Sequence, residues 1–578
     1  MIPTIFRARK NKEAGKRFFR KLLKGLLYVP RVIITDKLPT TTCNPTDFTW
    51  LKSLIFYVLN RTFYVNIIGI FYFTNKESNY GYNHINVLSY SIFFRLIVLS
   101  FFVMGINSCM VGPNFRSPPA PKVEQYTESK LPAKTVSSSG AFLSNKAQRF
   151  LIGKDIPKQW WQLFHSRKIN QLVEMGLKNS PTIASANAAL RVAQENYRAQ
   201  IGSTLLPAIN YQNYAQRQLL PETTYTTANG NVPFNIFYSV FNLSYTVDVF
   251  GGARRQIESL KAQVDYQQFE LLAADLTLTA NIVSTAINLA SYQQQIEVTQ
   301  QLIKSERDLL HIIKKQYKLG GVPQNQVFVQ ETLLEQTRST LPILQKNLVQ
   351  TKYALATLIG TFPNVPMPAI DLDTLNLPGN LPVSLPSNLI RQRPDVRASE
   401  ALLHSASALI GVAVANLLPA LTITAYEGWT GNILNNFFGN TNKIWSALGQ
   451  VNQPLFEGGS LFAKRRAAIA AYQQALAQYR QVVLTAFQDV ANALSALEID
   501  ALALKIQKKA QLAAKRWVNS SQQLYSLGGT SSVELLNAQQ QYQQSSIALT
   551  QAKATRFTDT VSLFQSLGGG WWNTTCTN

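Results

Sequence analysis

The sequence predicts a mixed α and β membrane protein, a duplicated repeat with four β-strands per chain. Three observations carry that prediction. Four landmarks recur at nearly one spacing, two long runs contain neither Gly nor Pro, and between helical stretches the hydrophobic period switches to two. Of the 578 residues, 46% are hydrophobic and 15% charged, which excludes a disordered chain and leaves ample material for a core.

The duplication is read first. Gly251-Gly252 recurs at Gly458-Gly459, an offset of 207, and Tyr317-Lys318-Leu319-Gly320-Gly321 recurs as Tyr525-Ser526-Leu527-Gly528-Gly529, an offset of 208. Gly360 recurs at Gly568, again 208, and Leu205-Leu206-Pro207-Ala208 recurs as Leu417-Leu418-Pro419-Ala420, an offset of 212. Residues 253–319 and 460–527 are the Gly- and Pro-free runs, 67 and 68 residues dominated by Ala, Gln, Leu and Lys, which are good helix formers. A helix of that length extends roughly 100 Å at about 1.5 Å per residue. Such a length demands coiled-coil-like packing. Gly320-Gly321 and Gly528-Gly529 supply the sharp ends, because Gly tolerates the left-handed cap. Return helices are expected at 324–359, interrupted by Pro342, and at 530–567. A shorter helix opens each copy near Pro181 and Pro394, where Pro suits the first turn.

Strands fall between the short and long helices. Phe241, Leu243, Tyr245, Val247 and Val249 alternate with Asn242, Ser244, Thr246 and Asp248, one apolar and one wet face. A weaker strand precedes at Ile209–Leu220, and the second copy offers Leu421–Trp429 and Ile444–Leu455. A half-buried sheet in a soluble domain is one reading; a sheet facing lipid is favoured by the interface aromatics and by the signal described next. Two hairpins cannot close a barrel, and lipid does not tolerate open edges. Three copies give a trimeric 12-stranded β-barrel with a lumen, continued by the long helices as a periplasmic α-helical barrel.

Residues 92–108, reading IFFRLIVLSFFVMGINS, place Arg95 before the apolar run Leu96–Met104 and end just before Cys109. The run is too short to span a bilayer as a helix but suits a signal-peptide core. Ser108 fits a lipoprotein cleavage site, with Ile106 three positions before the cysteine; Asn107 departs from the usual small residue. Cys109 then becomes the acylated first residue of the mature protein, the alternative being a buried strand with an unremarkable cysteine. Residues 1–91 hold Arg7 to Lys24, basic and interleaved with Phe18, Phe19, Leu22 and Leu23, which resembles a membrane-surface helix. The stretch Leu51–Phe73 carries Lys52 and Arg61 and makes a poor spanning helix. A start codon assigned too far upstream is favoured over a real extension.

Other functional classes find little support. The formal charge is +24, but residues 1–90 contribute 14 Lys/Arg against 4 Asp/Glu, so the remainder is only mildly basic and no nucleic-acid partner is expected. Cys43, Cys109 and Cys576 cannot make a disulfide framework, and His84, His165, His311 and His404 show no ligand spacing. No HExxH, paired CxxC, GxxxxGK[ST] or GxSxG motif occurs, so neither an enzyme nor a bound metal or cofactor is expected.

The motifs resemble the outer-membrane efflux protein family, the TolC-like channels, and specifically its lipoprotein NodT-type branch. Cys109-Met110-Val111-Gly112-Pro113-Asn114-Phe115 resembles that branch's mature start. Trp160-Trp161 with Phe164, then Asn179-Ser180-Pro181, resembles its entry into the first helix, and Leu389 to Arg397, LIRQRPDVR, opens the second copy in its manner. The likeness covers residues 109–569: an N-terminal lipid-anchored segment 109–170, efflux repeats at 171–360 and 386–569, with the signal at 92–108 and the extension 1–91 before them.

The resemblance implies a homotrimeric exit channel in the bacterial outer membrane, docked through a periplasmic adaptor onto an inner-membrane RND transporter and passing small molecules such as drugs. Adaptor-contacting tips fall at Leu319, Gly320, Gly321, Leu527, Gly528 and Gly529; simple helix capping is the plainer reading of these glycines. The family's acidic periplasmic gate falls at Glu534 and Asn537, with Tyr525 nearby; Glu534 keeps the charge and Asn537 does not. Asp489 is a further lumen candidate. A duct for type I protein secretion, and a lipid-anchored trimeric coiled coil with no pore, are the alternatives.

Overall fold

A computed structural model of the chain describes residues 110–138, 146–219 and 233–573. The extension 1–91, the signal 92–108 and Cys109 lie outside the described residues. In chain order the elements are β1 (Arg149–Ile152), a 3-10 turn (Trp160–Phe164), α1 (Arg167–Asn179), α2 (Pro181–Leu205), β2 (Ala208–Gln218), β3 (Phe234–Val247), α3 (Gly252–Lys318), α4 (Gln324–Leu358), β4 (Asn380–Val383), α5 (Pro386–Gln392), α6 (Pro394–Ala415), β5 (Ala420–Gly431), β6 (Lys443–Asn452), α7 (Ser460–Ser526) and α8 (Ser532–Ser566).

The long Gly- and Pro-free runs are single helices. α3 and α7 each hold 67 residues, and their return helices α4 and α8 each hold 35. Each long helix stops where glycine permits a left-handed turn. Gly320 has φ +73° and Gly528 φ +75°, and the amides of Gly321 and Gly529 donate back to the carbonyls of Gln316 and Leu524, both at 2.8 Å. Pro342 does not interrupt α4, contrary to expectation: the helix runs through it. Losing one amide costs a helix about 3 kcal/mol, which the packing of α4 against α3 offsets.

The far ends of the return helices show the same internal symmetry. Gly360 (φ +71°) and Gly568 (φ +93°) stand so close to the residue two before Pro181 and Pro394 that a Cβ on either would lie 2.5 Å from the carbonyl oxygen of Asn179 or Gln392. Both copies use one joint to pack the end of the return helix on the start of the short helix.

The main core lies around the middle of the long helices. Leu278, Ile282, Val283, Ile287 and Leu289 of α3 meet Val490, Leu494 and Leu497 of α7 and Phe557 and Phe564 of α8. The 3-10 turn adds Trp160, 5.4 Å from Phe564 between ring centroids, and Phe164, 6.1 Å from Phe557. A second, smaller core near the tips joins Ile303, Leu309, Leu310 and Ile313 of α3, Val327 and Leu334 of α4, and Leu535 and Leu536 of α8.

The four expected strands form one sheet, and the structure adds a second. β1 pairs in parallel with β4 over four residues, raising the strand count above the expected four. Strands this short have no periodicity to read, and their pairing joins segments over two hundred residues apart. The helices α1 and α5 were likewise not anticipated.

Candidate functional site

The larger sheet has the order β2-β3-β5-β6, every neighbour antiparallel, and among the described residues the outer edges of β2 and β6 are unpaired. Register runs residue by residue without a bulge, so parity assigns each side chain to a face. One face is built of the rows Ile209–Leu243–Ala425–Ala447, Tyr245–Ile423–Gly449 and Val247–Leu421–Val451. Above them Tyr211 and Phe241 pack side by side with tilted rings, 5.0 Å between centroids, in one row with Glu427 and Trp445. Trp445 is 74% exposed and Val451 67%, part of a band of apolar side chains left uncovered by the described residues. The opposite face carries Asn210, Asn242, Ser244, Thr246, Thr422, Thr424, Ser446 and Gln450.

Sheet and helices are riveted where β3 turns into α3. The Asp248 carboxylate accepts hydrogen bonds from the Ala253 and Arg254 amides at 3.1 and 3.0 Å and from Arg254 Nε at 3.1 Å, capping the helix. The segment following residue 109 is fastened to the same joint. Val111 N–H donates to the Phe250 carbonyl at 3.0 Å. The buried Arg255 guanidinium donates to the Val111 carbonyl at 3.1 Å and to Asn114 Oδ1 at 2.7 Å. Phe115 stacks on His404, 4.4 Å between centroids.

At the other end the two helix turns lie side by side. Leu319 is 86% exposed and Leu527 83%, each at the apex of its turn. Tyr525 Oη donates to Gln316 Oε1 at 2.9 Å, and Ser532 Oγ to Gln326 Oε1 at 3.3 Å, bonds between the two copies. Glu534 lies on the first turn of α8. Its amide donates to Ser531 Oγ at 3.3 Å, the Ser-x-x-Glu arrangement of a capped helix start, and its carboxylate accepts from Trp517 Nε1 at 3.0 Å. The spacing of Ser531 and Glu534 was legible in the sequence; the Trp517 partner was not. Asn537 is exposed one turn further on.

Asp489 stands apart from the tips. Its carboxylate accepts from Arg393 Nη1 at 3.0 Å, while Arg393 also chelates Asp395 at 2.6 and 3.0 Å. Sequence reasoning missed this network. It also missed Glu306, fully buried beside the smaller core. Glu306 Oε1 accepts from Thr337 at 3.0 Å and Oε2 has no partner; burial, opposed by the Thr337 hydrogen bond, pushes its carboxyl up to about 7. At the 208-residue offset the second copy has Ala514, Ala538 and Ser545 in place of Glu306, Gln330 and Thr337.

A family model described as outer membrane efflux protein matches residues 172–361 and 385–569. The chain belongs to that family. Among the relatives of this efflux protein, the pyoverdine export outer membrane protein OpmQ of Pseudomonas aeruginosa is 28% identical, the match covering 72% of this chain and 88% of that one. The probable efflux pump outer membrane protein TtgC of Pseudomonas putida is 24% identical over 83% of this chain and 96% of its own. Nodulation protein T of Rhizobium leguminosarum is 28% identical over 79% and 92%. Among solved structures, the outer-membrane channel OprN superposes with a TM-score of 0.71 at 25% identity, covering 80% of this efflux protein and all (100%) of that chain. The Campylobacter jejuni CmeC channel gives 0.70 at 22% identity, over 80% and 95%, a likeness of fold.

Proposed function

We propose that this efflux protein is the outer-membrane exit channel of a tripartite, RND-type efflux system that passes small molecules to the outside. One observation carries the reading: a four-stranded sheet, mainly apolar on one face and mainly polar on the other, with both edges unpaired among the described residues and 67-residue helices continuing from it. An isolated sheet of this kind is unstable in lipid, because unpaired backbone groups have no water to satisfy them. Three copies joined edge to edge close twelve strands into a barrel, with the apolar face outward and the polar face around a lumen. The names of OpmQ and TtgC, which speak of export and of an efflux pump, agree with this use.

The remaining parts follow from the same frame. Cys109 carries the lipid, two residues before Val111, whose amide is fastened to Phe250 just beyond the end of β3. Leu319, Gly320, Gly321, Leu527, Gly528 and Gly529 meet a periplasmic adaptor, whose engagement links the channel to an inner-membrane transporter. Tyr525, Glu534 and Asn537 form the periplasmic gate, in which three copies of the Glu534 carboxylate around a narrow opening repel one another and attract cations. Nothing is catalysed; energy enters at the transporter.

Ethidium accumulation tests the reading. Deleting the gene raises accumulation and restoring it on a plasmid reverses the change. Unchanged accumulation, with the protein present in outer membranes and its pump genes expressed, overturns small-molecule efflux.

A further inference from the structure

The wet face of the larger sheet is not uniform. Its rows near the helices hold mainly amides and small hydroxyls, with Leu448 among them. Further along, the same parity brings up Tyr214, Tyr238 and Tyr426. Tyr214 stands directly opposite Tyr238 in register, and their rings stack with centroids 4.9 Å apart and planes 24° from parallel. Tyr426 stands on the same face two rows from Tyr238, in the row of Asn242. Tyr214 and Tyr426 are equivalent residues of the two copies, related by the offset of 212 that also relates Leu205-Leu206-Pro207-Ala208 to Leu417-Leu418-Pro419-Ala420.

Two further features define what these tyrosines can hold. Gly428 lies on this face opposite Val240, and a Cβ there would collide with the backbone of Ser239 and Val240, so the position beside Tyr426 stays without a side chain. The backbone and Cγ1 of the buried Val240 fill that place, an apolar floor between the rows of Tyr238 and Tyr426. The face also carries no Lys, Arg, Asp or Glu on any of its four strands; the ionisable pair of the sheet, Lys443 and Glu427, belongs to the apolar face. Charge therefore cannot select what is retained. The π faces of the tyrosines are the strongest attraction this wall offers to a cation, and the natural stacking partner of a planar ring.

We propose that Tyr214, Tyr238 and Tyr426 form an aromatic subsite on the lumen wall that holds planar aromatic solutes, cations above all, as they leave. The inference rests on the channel reading, since the polar face must line a lumen.

The full-length protein reconstituted in planar bilayers tests it, with ethidium added at the side of the strand hairpins and spermidine as a cation without rings. Ethidium blocks the wild-type current. Tyr238→Leu and Tyr214→Leu raise its half-blocking concentration about five- to tenfold. Tyr238→Phe, which keeps the ring, stays within about twofold, and spermidine behaves alike on all variants. Normal conductance of the Leu variants shows that they fold; Tyr426→Leu serves where one does not. Ethidium block unchanged by loss of the rings overturns the subsite and leaves the channel reading standing. A folded wild type with no conductance at all overturns the channel reading, and the subsite with it.

Discussion

Tyr525 and Gln316 share a hydrogen bond of 2.9 Å between the last turns of the two 67-residue helices, which joins the tips of the two copies alongside the Ser532–Gln326 bond. A contact of this kind contributes about 1 kcal/mol and is easily broken by a partner that binds the tips more strongly in an opened arrangement. Tyr525→Phe removes the donor alone. It is expected to raise passive entry of small dyes severalfold, as is Glu534→Ala; unchanged entry with normal assembly would remove both from the gate.

Glu306 gives the tip region a pH dependence. Its carboxyl is raised when folded, so its stability contribution is complete below the unfolded value near 4.5 and is lost as pH rises through about 7. At pH 8 the carboxylate is charged, with one oxygen unpartnered in a dry core. Glu306→Gln is expected to stabilise the protein by about 2 kcal/mol at pH 8 and to leave it nearly unchanged at pH 5. The opening free energy from hydrogen exchange over residues 303–313 and 327–337, corrected for intrinsic exchange, should then become independent of pH; an equal slope in both proteins would refute the assignment.

The glycines of the two helix ends should differ in cost. Around Gly320 an added Cβ meets nothing within 4 Å, so Gly320→Ala carries only the left-handed backbone penalty of about 1 kcal/mol. Gly360→Ala adds a collision with the Asn179 carbonyl and is expected to cost roughly 2–4 kcal/mol. Thermal melting ranks the pair, and equal losses would mean the joint can yield.

Arg393 holds Asp395 and Asp489 while itself only 9% exposed. Arg393→Met leaves the Ala486 and Ser566 carbonyls without their donor and two half-exposed carboxylates without their cation, and is expected to cost roughly 1–3 kcal/mol. Asp489 has a 44% exposed side chain, so Asp489→Asn should cost less than about 1 kcal/mol. Melting temperatures of the two variants decide whether the network depends on Arg393.

Cys109→Ser should abolish incorporation of radiolabelled palmitate, leaving the helical content by circular dichroism unchanged. Label retained in the variant would place the lipid elsewhere.

Much of this architecture was legible because its signals are local and repeated. Freedom from Gly and Pro over nearly seventy residues, followed by Gly-Gly, defines a helix and its end without reference to any neighbour, and α3 and α7 begin and end within a residue of those limits. Alternation at Phe241–Val247 likewise assigns two faces to a strand by parity alone. Pro342 misled because a local penalty was read without the α3 surface that offsets it.

The sequence by itself determined the duplication, the helix lengths, the strand parity and the tip glycines, since each depends on backbone conformation and spacing within one segment. Only the tertiary structure decided which side chains meet. The Tyr525–Gln316 bond, the Trp517–Glu534 bond, the buried Glu306, the Arg393 network and the pairing of β1 with β4 join residues distant along the chain or on separate helices. Periodicity assigns a residue to a face, but a hydrogen bond needs its partner within about 3 Å, and that distance exists only once the helices have packed.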